Sequence, residues 1–141
     1  MKDPNVPPVI AVIDDDSVYQ FTASRTLKAT NMAHKILQFP NGQEALNFLN
    51  DSAEIQQLPD IIFLDINMPI TDGWMFLEEF QKMKETLGKE IKIYMVSSSI
   101  DPRDFSRAKN IAEVTDYVEK PITMEKFSEL LRGLDSHDPK K

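Results

Sequence analysis

The stretch Phe63-Leu64-Asp65-Ile66-Asn67-Met68-Pro69 constrains this chain more than any other. An apolar run, Ile61 to Leu64, stops abruptly on a carboxylate, and Asn67, Pro69 and Asp72-Gly73 follow within a few residues. A short apolar run bounded by turn formers reads as a strand buried on both faces, the kind found in parallel sheets. Asp65 then stands at the strand's carboxyl end, the edge at which open α/β sheets bind ligands. An ionised carboxylate there needs a cation or hydrogen-bond donors around it, because burying it alone is costly. Taken alone, Asp65 is an ordinary polar residue at a strand end. The other strands decide what it means.

The same arrangement occurs earlier, where Val9-Ile10-Ala11-Val12-Ile13 ends on Asp14-Asp15-Asp16-Ser17. Asp16 or Ser17 can cap a helix that runs to about Lys28 with a blurred apolar period. Lys35 to Phe39 reads as a second strand, stopped by Pro40. Asn41 caps the next helix, Glu44 fits a capping box, and Ala45, Phe48 and Leu49 give it an apolar face. After Gly73, Phe76, Phe80, Met83 and Leu87 recur at helical spacing, and Gly88 is a suitable terminator. Ile91 to Val96 forms the fourth strand and ends on Ser97-Ser98-Ser99. Asp101-Pro102 opens a helix whose apolar face, Phe105, Ala108 and Ala112, is thin. Tyr117-Val118-Glu119 is a weak fifth strand before Lys120-Pro121, and Phe127, Leu130, Leu131 and Leu134 mark the last helix. Strand and helix alternate five times. That order predicts an α/β fold: a parallel sheet with right-handed crossovers and helices on both faces.

Composition narrows the function. The chain has no cysteine, which excludes disulfides and thiolate metal sites, and its only imidazoles are His34 and His137. No apolar run approaches the ~18 residues of a membrane span. A formal net charge of −7 argues against non-specific nucleic-acid binding. The N-terminus lacks an apolar signal core, so a cytoplasmic location is expected. Residues 1–8 read as a lead-in, 9–134 as one domain and 135–141 as a polar tail.

In a parallel sheet the carboxyl ends of all strands share one edge, so Asp14-Asp15, Asp65, Ser97 and Lys120 converge there. Crowded carboxylates repel, and a hard divalent cation bound by oxygen relieves that repulsion, which favours Mg2+. A metal, an ammonium and a hydroxyl suit a phosphoryl group, whose transfer depends on positioning and charge neutralisation. Asp65 is the natural nucleophile, since a carboxylate can form an aspartyl phosphate. A phosphatase of the haloacid-dehalogenase type would carry a second Asp as acid/base where this chain has Asn67, which cannot transfer protons.

Val12-Ile13-Asp14-Asp15, Leu64-Asp65-Ile66-Asn67-Met68-Pro69 with Gly73, Met95-Val96-Ser97 and Tyr117-Val118-Glu119-Lys120-Pro121 together resemble the response-regulator receiver domain of two-component signalling. The resemblance covers about Val9 to Leu134. It implies a flavodoxin-like (βα)5 fold with strand order 2-1-3-4-5. It implies that Asp15 and Asp65 ligate magnesium directly, Asp14 through water, and Asn67 through its backbone carbonyl. It further implies that Asp65 is phosphorylated by a histidine kinase or phosphotransfer protein, that Ser97 and Lys120 contact the phosphoryl group, and that Tyr117 is the aromatic switch residue. On that basis Ser97 moves toward the phosphoryl group, Tyr117 turns inward, and a downstream protein reads the altered face. Ser98 stands where the family more often has Ala or Gly. No output domain is apparent, so the chain resembles a stand-alone receiver.

Overall fold

The computed structural model describes residues 7–51, 55–68, 72–98 and 101–132. Strands β1 (Val9–Ile13), β2 (Lys35–Phe39), β3 (Ile61–Asp65), β4 (Lys92–Ser97) and β5 (Val114–Glu119) alternate with helices α1 (Ser17–Ala29), α2 (Gly42–Asp51), α3 (Gly73–Leu87), α4 (Pro102–Lys109) and α5 (Met124–Arg132). A short 3-10 turn, Ile55–Gln57, precedes β3. The strands form one sheet in the order β2-β1-β3-β4-β5, every neighbouring pair parallel. This is the α/β order that the sequence led us to expect.

The inner strands β1 and β3 are buried along their whole length, and β4 is buried from Ile93 onward. Because side chains alternate across a strand, each supplies two cores. Ala11, Ile13, Ile62, Leu64, Ile93 and Met95 face α2, α3 and α4. Ile10, Val12, Phe63, Tyr94, Val96 and Val118 face α1 and α5. On that second face the Phe63 ring stacks on Tyr94 at 5.4 Å and meets the edge of Phe127 at 5.1 Å. Such pairs add to simple area burial and fix how α5 sits on the sheet.

Helix ends follow local chemistry. Asp16 is the cap of α1, its carboxylate accepting from the Val18 and Tyr19 N–H groups. Asn41 accepts from the Glu44 N–H, and Asp101 from the Arg103 N–H with Pro102 at the first turn. Gly88 closes α3 in the left-handed region at φ 68°, where a side chain would be strained.

Two details differ from the sequence reading, and one is explained. Helix α4 ends at Lys109, with the Asn110 and Ile111 N–H groups closing on Arg107 and Ala108 carbonyls, so Ala112 lies beyond it and is exposed. Strand β5 begins at Val114 rather than Tyr117. Its first half, including exposed Thr115 and Asp116, carries no apolar signal because an edge strand can face water. The blurred period of α1 has a cause: Gln20 is buried with Ala23 and Leu27, while Val18 and Phe21 face solvent. Leu134, Pro69 and Ser99 lie outside the described residues.

Candidate functional site

Parallel pairing delivers the polar strand ends to one edge. Asp14 follows β1, Asp65 is the last residue of β3, Ser97 is the last of β4, and Lys120 follows β5. The loops are pinned by backbone bonds: Asp14 N–H donates to the Phe39 carbonyl at 3.0 Å and Lys120 N–H to the Ser97 carbonyl at 2.7 Å. The peptide bond from Lys120 to Pro121 is cis. Behind Asp65, Gly73 N–H donates to the Ile66 carbonyl at 3.0 Å. A Cβ on Gly73 would lie 3.0 Å from the Asp65 carbonyl oxygen and 3.0 Å from the Ile66 Cα. Glycine therefore lets α3 begin directly against the loop that carries Asp65.

Carboxylate oxygens of Asp14, Asp15 and Asp65 all lie within 4.8 Å of one another. Asp14 is 2 % exposed and Asp65 5 %, whereas Asp15 is open to solvent. Lys120 Nζ lies 2.6 Å from Asp14 Oδ2, an ion pair rather than an aligned hydrogen bond, and 3.6 Å from Asp65 Oδ1. One ammonium thus pairs with two members of a cluster of three carboxylates. The Asp65 carboxyl is pushed up to about 6, first by burial and then by Asp14, with a smaller push from Asp15. Lys120 and the Asn67 N–H, 3.3 Å from Asp65 Oδ1, oppose the rise. An all-oxygen donor set with surplus negative charge fits a hard divalent cation.

Two residues here were missed by sequence reasoning. The Tyr19 ring lies beneath the Lys120 ammonium, which is 4.3 Å from the ring centroid. Burial, then Asp14 and Asp65, push its hydroxyl upward. Gln20, buried in α1, donates through Nε2 toward the carbonyls of Val12 at 3.0 Å, Asp14 at 3.1 Å and Phe39 at 3.0 Å. It ties α1 to the ends of β1 and β2 at the acidic loop. A polar residue in register with Ala23 and Leu27 was the available signal; nothing in the sequence marks Tyr19.

Tyr117 lies on β5 opposite Met95 and is only 6 % exposed. Its ring is already inward, edge-on to Phe105 of α4 at 5.8 Å, and its hydroxyl is buried without a hydrogen-bond partner among the described residues. Helix α4 buries Ala108 alone completely. Around it, Arg107 stacks over Trp74 of α3 at 4.2 Å, and Glu113 pairs with Lys84 and with Gln81 of α3. Ser97 is buried and Ser98 is exposed.

Comparison with known proteins agrees with this geometry. Residues 10–132 match the model of the response regulator receiver domain. Response regulator Rcp1 of Synechocystis is 24% identical over 134 residues, which cover 94% of this chain and 89% of that protein. Sensor histidine kinase CheAY of Helicobacter pylori is 29% identical over 124 residues, 88% of this chain but only 14% of that protein. The crystal structure of a two-component response regulator from Cytophaga hutchinsonii gives a TM-score of 0.82 at 30% identity, covering 91% of this chain and 97% of that one. Since the family match runs from β1 to α5 and takes in the whole acidic edge, the chain belongs to the response regulator receiver domain family.

Proposed function

We propose that Asp65 is the phosphoacceptor of this receiver and that it takes a phosphoryl group from a histidine kinase or phosphotransfer protein. The observation that carries this reading is the single edge on which three carboxylates cluster, two of them paired with one ammonium, with Asp65 at the end of the central strand. An Asp65 oxygen attacks phosphorus and forms an O–P bond. The P–N bond of the phosphohistidine breaks, and its electron pair returns to the imidazole, which is then protonated. Asp14, Asp15 and Asp65, with the Asn67 carbonyl, would hold Mg2+, which supplies neutralisation of charge on the transferring group. Lys120 and the Ser97 hydroxyl then hold the phosphoryl oxygens. We read the protein as catalysing only its own phosphorylation and dephosphorylation, in the cytoplasm. Among the described residues no helix is long and apolar enough to cross a membrane.

Phosphorylation adds charge and acceptor oxygens next to Ser97 and Lys120. Ser97 and Tyr117, joined through β4 and β5, would pass this change to α4, and a downstream protein would read the face formed by α4, β5 and α5. Such a change requires the two states to bind the phosphoryl group differently. The test is labelling by acetyl phosphate with Mg2+. Wild type takes up label, while Asp65→Asn folds and takes up none. Undiminished labelling of that variant assigns the phosphate to another residue.

A further inference from the structure

Lys120 has a difficulty built into its position. Its anchors in this structure are ionic, Asp14 at 2.6 Å and Asp65 at 3.6 Å. Both belong to the carboxylate group that fits a divalent cation. A doubly charged ion there takes up the negative charge that attracts the ammonium and also repels it directly. A lysine on a flexible four-carbon stem would then swing to water. The ring of Tyr19 attracts the ammonium by a different means. An aromatic face draws a cation through its quadrupole and carries no net charge for a metal to neutralise. Tyr19 is also well placed to stay where it is. Its N–H is bonded to the capping Asp16, and its ring packs on the core formed by Ile10, Val12 and Phe63 with α1 and α5.

We propose that Tyr19 is a positioning residue, whose ring face keeps the Lys120 ammonium at the site while a divalent cation occupies Asp14, Asp15 and Asp65. The purpose of that positioning rests on the phosphoacceptor reading: Lys120 must be in place when phosphorus arrives at Asp65. The contact itself does not depend on phosphorylation.

The experiment has two arms on the intact protein. With the Lys120 ammonium 4.3 Å from the Tyr19 ring centroid, the protons of the adjacent ε-methylene should be shifted upfield by the ring current, which NMR on lysine-labelled protein reads directly. The shift persists at saturating Mg2+ in wild type and in Tyr19→Phe, and is absent in Tyr19→Leu and Tyr19→Met. In the second arm, acetyl phosphate labelling at saturating Mg2+ slows about 3- to 10-fold in Tyr19→Leu and Tyr19→Met, the range of one partly desolvated cation–π contact, and Tyr19→Phe restores it. Loss of the upfield shift when Mg2+ is added to wild type overturns the proposal, as does labelling of both apolar variants at the wild-type rate. A wild type that keeps the shift with Mg2+ but takes no label refutes the phosphoacceptor reading and leaves the metal-state contact established.

Discussion

The sheet carries a buried aspartate–lysine pair at each end, and the two are built differently. At the amino ends of the strands, Asp60 Oδ2 accepts the Val9 N–H at 2.8 Å and its Oδ1 lies 3.2 Å from Lys89 Nζ. Lys89 also donates to the Leu58 carbonyl at 2.6 Å. Among the described residues one carboxylate meets one ammonium there, and each also bonds a backbone group. At the carboxyl ends Lys120 pairs with Asp14 and Asp65, and Asp15 adds a third carboxylate to their cluster. Balanced charge with filled hydrogen bonds fixes the chain entering β1 and β3. Unbalanced charge leaves work for a ligand. Stability and function are thus separated along the strand direction by one difference: how many acids each lysine must answer.

Breaking each pair should expose that difference. Asp60→Ala removes the acceptor of the Val9 N–H and the carboxylate that Lys89 pairs with, so unfolding free energy should fall by about 2–4 kcal/mol with Mg2+ affinity unchanged. Asp15→Ala should do the reverse. Its apo form should unfold no more easily than wild type, since repulsion is relieved, while Mg2+ binding weakens about tenfold or more, equivalent to about 1.4 kcal/mol. Denaturant titration and calorimetric Mg2+ titration of both variants check this. A loss of Mg2+ affinity in Asp60→Ala, or none in Asp15→Ala, would erase the contrast.

Acidity sharpens the comparison. Asp65 rises from an ordinary 3.8 to about 6 on folding, so the folded protein binds more protons between those values. The stability that this group contributes to the metal-free protein should therefore be fully present below about pH 3.8, fall as pH rises through about 6, and then level off. The contribution is at most about 3 kcal/mol. Saturating Mg2+ should restore the loss at neutral pH, because a ligand that binds only the folded state stabilises it. Asp65→Asn should flatten the metal-free profile over this range. An unchanged slope in that variant would place the titrating group elsewhere.

The smallest effect concerns the buried Tyr117 hydroxyl on the functional side. Tyr117→Phe removes a buried polar atom that has no partner among the described residues, so the metal-free protein should gain about 1 kcal/mol. A loss of stability instead would mean that the hydroxyl is satisfied in solution.

Much of this was legible without coordinates because parallel strands impose it. Runs buried on both faces must be continuously apolar, as Ile10 to Ile13 and Ile61 to Leu64 are. Once five strands alternate with helices, their carboxyl ends share an edge, so Asp14, Asp65, Ser97 and Lys120 were identifiable as neighbours. Caps such as Asp16, Asn41 and Asp101 are local devices and local sequence shows them. The sequence could not show which way a flexible or half-buried side chain turns. The Tyr19 ring under Lys120 joins α1 to the loop after β5, about a hundred residues apart, and no spacing rule links them. Gln20 disturbs a helical period in the sequence, but its three carbonyl partners exist only once β1 and β2 lie side by side. The inward Tyr117 ring depends on Phe105 arriving from α4. Sequence by itself thus determined the sheet, its order of elements and the acids on its edge, because burial and chain direction leave few alternatives. Tertiary structure alone decided how one lysine is shared between two acids and an aromatic face, because that balance depends on distances of a few ångströms between segments far apart in the chain.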